Sequence, residues 1–223
     1  MAKKILVVAA HTDDEALGCG GTIARHVSEG DEVYAIFMAD GVTSRLGSTD
    51  GKLNERSLAA KCAHDILGFT WTKCLCLPDN QMDSLPLLKV VQELEGIIQN
   101  LEPQIIYTHH HGDLNIDHRL THEAVMTACR PSPNSSVKEI YGFEVVSSTE
   151  WNTPGVGVFS PNMFLEITSF MNLKCKALEA YDLEMREQPH ARSIEHVKFL
   201  AKHRGHSVGV DSAEAFVVHR IIR

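Results

Sequence analysis

The chain has 223 residues, of which 29 are acidic and 21 are basic, so its formal net charge is −8 at pH 7. This length is typical of one α/β domain, and we expect residues 1–223 to form a single domain. The acidic balance argues against nucleic acid as a partner. No apolar run approaches the ~20 residues that span a bilayer, so we expect no membrane span and a cytoplasmic protein. A homo-oligomer remains open.

Cysteines and histidines carry different information in this sequence. The six cysteines are scattered, and the close pair Cys74 and Cys76 fits neither a C-x-x-C redox motif nor a zinc knuckle, so we interpret all six as reduced core residues. The 13 histidines outnumber the eight phenylalanines, and three of them are consecutive at residues 109–111. Such an excess of imidazoles suggests a chemical role.

Apolar runs and 3.6-residue periodicity alternate along the chain, which predicts strands and helices in turn. In chain order, we predict a strand over Lys4–Ala10, a helix beginning near Asp13, a strand over Glu32–Ala39, a helix over Leu53–Leu67, a weaker strand over Thr72–Leu77, a helix over Leu87–Leu101, a strand over Gln104–Thr108, a helix over Asp117–Cys129, strands over Ile140–Val146 and Met163–Ile167, helices over Ser169–Leu183 and Ser193–His203, and a strand over Ala215–Ile222. This alternation predicts a Rossmann-like α/β fold: a mainly parallel sheet with helices on both faces and the strand order 3-2-1-4-5.

Polar clusters follow the first and fourth predicted strands, which would be neighbours at the point where strand order reverses. Ligands bind there in such sheets. His11, Asp14 and His118 supply two imidazoles and a carboxylate, a common ligand set for catalytic zinc, and Asp13 remains free as a base. Two simpler interpretations stay open: that the acidic residues complement the dipole of the first helix, and that residues 109–111 form a solvated loop.

The segments HTDDE, after the first strand, and DLNIDHR, after the fourth, resemble the LmbE/PIG-L family of zinc-dependent de-N-acetylases. Members of that family remove N-acetyl groups from GlcNAc-containing substrates. The resemblance implies that His11, Asp14 and His118 bind Zn²⁺ and that Asp13 is the general base. It also implies that Arg56, in NERSLAAK, helps to bind the substrate.

Two positions depart from the family pattern. Thr12 replaces a proline, which removes no ligand. Asn115 stands where well-studied relatives carry a histidine that acts as general acid, and we expect Asn115 to contact the substrate instead. Because an amide cannot donate that proton, the acid is either His110 or a neighbouring loop histidine, or Asp13 after it has taken a proton from water. Asp117 is expected to orient an imidazole.

The sequence therefore predicts a zinc-dependent amidohydrolase that acts on an N-acetylated sugar or glycoconjugate and releases acetate. Two alternatives remain. A non-haem Fe(II) enzyme could use the same two imidazoles and one carboxylate. A non-catalytic sugar- or nucleotide-binding domain could share the fold, and it would bind no metal tightly.

Overall fold

A computed structural model describes residues 2–39 and 50–223. Its helices and strands are, in chain order, β1 (Lys4–Ala9), α1 (Asp14–Ser28), β2 (Glu32–Ala39), α2 (Asp50–Leu67), β3 (Thr70–Leu77), α3 (Leu87–Leu101), β4 (Ile105–His109), α4 (Ile116–Ala128), β5 (Glu139–Phe143), β6 (Met163–Glu166), α5 (Met171–Ala180), α6 (Ile194–His206) and β7 (Ala213–Ile221). Each predicted element is present; β2 and α3 have the predicted ends, and the ends of the others are shifted. The Gly- and Ser-containing loop predicted after β2 falls on residues 40–49, outside the described part of the chain.

The seven strands form one mixed sheet in the order β3-β2-β1-β4-β5-β7-β6. The first five are parallel, and β1 lies between β2 and β4, with Val7 opposite Ala35 on one side and Tyr107 on the other. Strand β7 runs antiparallel to both β5 and β6. The predicted α/β class and the order 3-2-1-4-5 are therefore confirmed.

Two hydrophobic cores cover the two faces of the sheet, as the period of two along a buried strand requires. Val7 of β1 packs in the core that includes buried residues of α1, α2, α5 and α6. Its neighbour Val8 packs on the other face, with buried residues of α3 and α4. Helices on both faces are thus confirmed, and β1 is buried from both sides.

Two glycines allow α1 to lie close to the sheet and its flanking segments. A Cβ added at Gly18 would collide with the ring of Phe143 in β5, and one added at Gly21 would lie 2.7 Å from Ile167 Cδ1. Because α1 begins at Asp14, this close packing also fixes the position of its first carboxylate against the end of β1.

The cysteine prediction is only partly right. Cys19, Cys129 and Cys175 are buried, as expected. Cys62 and Cys76 are exposed instead, because α2 and the edge strand β3 turn these positions towards solvent. Within residues 2–39 and 50–223, no helix is both long enough and apolar enough to cross a bilayer.

Candidate metal centre and substrate cleft

The loops after β1 and β4 bring the predicted ligands together. The parallel register places Val8 beside Thr108, so both strands deliver their following residues to the same edge of the sheet. Asp14 Oδ2 lies 3.4 Å from His11 Nδ1 and 3.3 Å from His118 Nε2. All three side chains are buried.

These separations fit a bound metal ion. Tetrahedral ligands at 2.0–2.2 Å from zinc are separated from one another by about 3.4 Å, close to both observed distances. Among the described residues, Asp14 Oδ1 is also buried without a hydrogen-bond partner. A buried carboxylate oxygen is costly to leave unpaired, and a cation beside it removes that cost. His11, Asp14 and His118 could therefore hold a divalent metal.

The far nitrogen of His11 faces two carboxylates. His11 Nε2 lies 3.2 Å from Asp117 Oδ2 and 3.2 Å from Asp79 Oδ1, which leaves Nδ1 directed at Asp14. Burial disfavours the charged imidazole, but the hydrogen bonds to Asp117 and Asp14 outweigh it, and the pKa of His11 lies well above its usual range. Asp117 thus contacts an imidazole, as the sequence suggested.

Asp79 is a site residue that the sequence motifs did not predict. It follows β3 directly, at the same edge of the sheet as the other site residues, and this position after a strand is the sequence feature that could have identified it. The backbone N–H groups of Asn80 and Met82 donate to the two oxygens of Asp117, at 2.7 and 3.1 Å. The turn after β3 therefore supports the orientation of His11 both through Asp79 and through Asp117.

His118 has a carboxylate on its far nitrogen as well. Its Nδ1 lies 3.1 Å from Asp113 Oδ1, and Asp113 also accepts hydrogen bonds from the hydroxyls of Ser148 and Thr149. Burial disfavours the charged forms of both the His118 imidazole and the Asp113 carboxyl. The neighbouring carboxylates of Asp14 and Asp113 nevertheless raise the pKa of His118 to about 9, and the imidazole lowers that of Asp113 to about 2. A carboxylate behind each imidazole is the arrangement that orients metal-binding histidines.

Asp13 has an unusual backbone conformation. Its φ is 117°, in a region that non-glycine residues adopt at a cost of roughly 1–3 kcal/mol. Its N–H donates to Glu15 Oε2 at 2.9 Å, and its side chain lines the cleft beside the metal centre. Burial raises the pKa of Asp13, while the guanidinium groups of Arg192 and Arg56 oppose that rise. A carboxylate with a raised pKa, held at a metal centre, is suited to proton transfer.

Arg56 lies in the cleft wall, and its side chain is buried. Its Nε donates to Thr12 Oγ1 at 2.8 Å and its Nη2 to the Thr12 carbonyl at 2.6 Å. Nη1 donates to Glu184 Oε1 at 2.6 Å. Much of the guanidinium therefore binds protein groups, and its predicted contact with the substrate stays a prediction.

Asn115 and His110 occupy different places. Asn115 lines the cleft, and its Oδ1 accepts the N–H of Asp117 at 2.8 Å, so it also caps α4.

His110 Nε2 lies 2.6 Å from the Gly157 carbonyl, its ring packs against Phe159, and burial lowers its pKa. No contact between His110 and the cleft appears among the described residues, so its acid role stays a prediction.

The loop-histidine alternative is wrong for two of the three consecutive histidines. His109 and His110 are buried, and His111 alone is exposed. The ring of His109 stacks on His118 with a centroid separation of 4.0 Å, and its Nε2 accepts the Ala10 N–H at 2.8 Å. His109 therefore packs beneath the metal centre as a neutral imidazole, because burial holds its pKa well below the usual range.

A cleft of about 250 Å³ opens beside the metal centre. Eight of its described wall residues were not predicted from the sequence, among them Trp151, Arg186, His190 and Arg192. Trp151 is 53% exposed, and its ring meets that of His190 edge to face at 5.8 Å. These four residues come from the segments after β5 and after α5, which carry no recognisable motif, so their approach to the metal centre was visible only in the fold.

Comparison with known proteins assigns the family. The family model of PIG-L, GlcNAc-PI de-N-acetylase, matches residues 6–129. The chain belongs to this family. It is 32% identical to the uncharacterized deacetylase YaiS of Escherichia coli (strain K12), over 80% of this chain and 90% of that protein.

Two further relatives extend the similarity over almost the whole chain. Diacetylchitobiose deacetylase of Thermococcus kodakarensis is 28% identical over 92% of this chain and 80% of its own length. The structure of N,N'-diacetylchitobiose deacetylase from Pyrococcus horikoshii shares the fold, with a TM-score of 0.80 and 22% identity over 98% of this chain and 84% of that one. Membership in the PIG-L family makes this chain a hydrolytic N-deacetylase, and the alternative of a non-catalytic binding domain is set aside.

Proposed function

We propose that the protein is a zinc-dependent hydrolase that removes an N-acetyl group from a GlcNAc-type sugar or glycoconjugate and releases acetate. The observation that carries this proposal is the close approach of Asp14 Oδ2 to His11 Nδ1 and His118 Nε2, at 3.4 and 3.3 Å, directly beside Asp13 in a polar cleft. Zinc bound by these residues would lower the pKa of a water molecule and polarise the acetamide carbonyl.

Asp13 accepts the proton of the attacking water. Burial raises the pKa of Asp13 and so strengthens it as a base, while the nearby guanidinium groups of Arg192 and Arg56 oppose that rise. The water oxygen bonds to the carbonyl carbon, the C–N bond breaks, and Asp13 returns the proton to the amine nitrogen. This single-residue route is favoured because the Asn115 amide cannot act as an acid and His110 is hydrogen-bonded to Gly157.

The cleft wall favours a sugar over an apolar amide. The cleft volume of about 250 Å³ is close to about 300 Å³, the lower end of the range for small-molecule pockets. This size suits one sugar ring with an open side towards a further group. Asn80 and Asn115 line the cleft with side-chain amides, polar groups of the kind that bind sugar hydroxyls, and Trp151 adds an exposed aromatic ring. The Thermococcus kodakarensis relative, a diacetylchitobiose deacetylase, supports the same substrate class.

Metal analysis combined with acetate release tests the proposal. The purified protein should contain one zinc per chain, and it should release acetate from N-acetylglucosamine, diacetylchitobiose or a GlcNAc glycoside. Metal-free protein should regain activity with zinc. Recovery with Fe(II) and not with zinc, or full zinc content without acetate release from any of these substrates, would overturn it.

The proton donor needs its own comparison. His110→Gln and His190→Gln each remove an imidazole, one outside the cleft wall and one within it. Both variants should keep the bell-shaped pH–rate profile of the parent, because Asp13 carries the proton. Loss of the basic limb in either variant would transfer the acid role to that histidine.

A further inference from the structure

Edge strand β3 contains a bulge at its C-terminal end. Phe37 of β2 pairs with Cys74, whereas Ala39 pairs with Leu77, so β3 advances three residues while β2 advances two. The bulge coincides with a left-handed residue, since Cys76 has a φ of 51°. Within the described sheet β3 pairs with β2 alone, so it is an edge strand.

The bulge brings two thiols together. In a regular strand, residues two apart are separated by about 6.6 Å along the strand, whereas a disulfide needs its Cβ atoms at roughly 3.8 Å. Here Cys74 Sγ and Cys76 Sγ lie 3.5 Å apart. Cys76 is exposed and Cys74 is half-buried, so a reagent in solution reaches the Cys76 thiol.

We propose that Cys74 and Cys76 form a reversible disulfide with a low-molecular-weight disulfide as oxidant. The deprotonated Cys76 sulfur attacks one sulfur of that reagent and releases one thiol. The Cys74 sulfur then attacks Cys76 Sγ in the mixed disulfide and releases the second thiol. Both cysteines lose their protons, and two electrons pass from the protein to the reagent.

The disulfide would act on the metal centre through the turn that follows β3. Disulfide formation shortens the distance between the two sulfur atoms from 3.5 Å to about 2.05 Å, which shifts the backbone at the C-terminal end of β3. Three residues after Cys76, Asp79 Oδ1 lies 3.2 Å from His11 Nε2, and the next N–H binds Asp117. Oxidation therefore disturbs the support of His11. This part of the inference rests on the proposed function.

Thiol counting tests the bond without any use of activity. The metal-loaded protein is incubated with glutathione disulfide, quenched with acid and denatured. We expect the thiol count to fall from six to four, with the tryptic peptide over residues 74–89 two hydrogen masses lighter. Cys74→Ser and Cys76→Ser should abolish this product, whereas Cys62→Ser, which removes another exposed thiol, should leave it unchanged. An unchanged count, or glutathione retained on Cys76, would overturn the proposal.

Activity measurements test separately whether the disulfide affects the candidate metal centre. Acetate release by the oxidised parent should fall by roughly tenfold, the lower end of the effect of disturbing a partner of a metal ligand, and dithiothreitol should restore it. Oxidised Cys76→Ser should keep its activity. Disulfide formation with unchanged activity would overturn the regulatory part, while an inactive reduced protein would instead overturn the proposed function.

Discussion

Arg192 Nη1 lies 2.7 Å from Asp13 Oδ2, an ion pair between residues 179 positions apart in the chain. The same guanidinium donates from Nε to Ser147 Oγ at 2.7 Å, which limits its movement. Because Asp13 has a strained backbone at a φ of 117°, the ion pair helps to hold its carboxylate in the cleft. Arg192 is therefore a positioning residue for the proposed base.

We expect Arg192→Gln to lower kcat by roughly 10- to 100-fold with a smaller change in KM, because a misplaced base slows the reaction more than it weakens binding. Arg186→Gln is the matched control. Arg186 also lines the cleft, but its Nη1 donates to the carbonyls of Leu183 and Met185. Steady-state kinetics of both variants provide the measurement, and equal losses of kcat would contradict the assignment.

Asp13→Asn should retain the metal and the substrate but lower kcat by about 10²–10⁴, the usual contribution of general acid–base catalysis. An amide of the same shape accepts no proton from water. Zinc content and KM measured beside kcat separate this effect from loss of a ligand. Asp83→Asn, which changes an exposed carboxylate, serves as the control. A variant that loses its zinc would make Asp13 a metal ligand.

His118→Ala should reduce the zinc content of the purified protein by well over half, because one of three proposed ligands is removed. His122→Ala removes an imidazole one turn further along α4, whose Nδ1 lies 2.9 Å from the His109 carbonyl. That control should keep its zinc. Elemental analysis after gel filtration measures both, with circular dichroism to check the fold, and full occupancy in His118→Ala would argue against the proposed ligand set.

Trp151→Ala should raise KM by roughly 2- to 12-fold, which corresponds to the 0.5–1.5 kcal/mol of an aromatic contact, and leave kcat nearly unchanged. The ring is 53% exposed at the cleft rim, beside His190. Trp151→Phe keeps an aromatic face and should stay close to the parent. If both variants bind a GlcNAc glycoside as well as the parent does, Trp151 does not contact the sugar.

His219 should make the protein less stable in acid. Burial and the neighbouring His122 lower its pKa to about 4, and its ring lies 4.7 Å from that of His122. The unfolded value is about 6.5, so between these pH values the unfolded state binds more protons. The free energy of unfolding is therefore unaffected by this group above about pH 6.5 and falls as the pH decreases towards 4.

The matching experiment is urea denaturation of His219→Gln at pH 7 and pH 5. The variant should lose less free energy of unfolding than the parent between these pH values, by about 1–2 kcal/mol. His206→Gln, which changes an exposed residue at the end of α6, should behave like the parent. Identical pH dependence of all three proteins would show that His219 is not responsible.

Much of the candidate metal centre could be predicted from the sequence because its parts are local. A buried apolar strand followed at once by His11 and Asp14 specifies both a strand end and two candidate ligands within a few residues. The second cluster repeats this arrangement after β4. The rule that parallel strands present their carboxyl ends at one edge then brings the clusters together, and the strand order β3-β2-β1-β4-β5 confirms that geometry.

The remainder of the site was decided by tertiary structure. Arg192 and Trp151 stand in segments without periodicity or motif, and nothing local indicates that the chain returns to Asp13 after α5. His110 and His109 are adjacent in sequence, yet the alternation of the strand end sends one to Gly157 and the other against His118. Local patterns determine which backbone segments form and which groups follow them. Long-range packing decides which way a side chain points and which distant loops lie next to it, and no short segment of sequence encodes that packing.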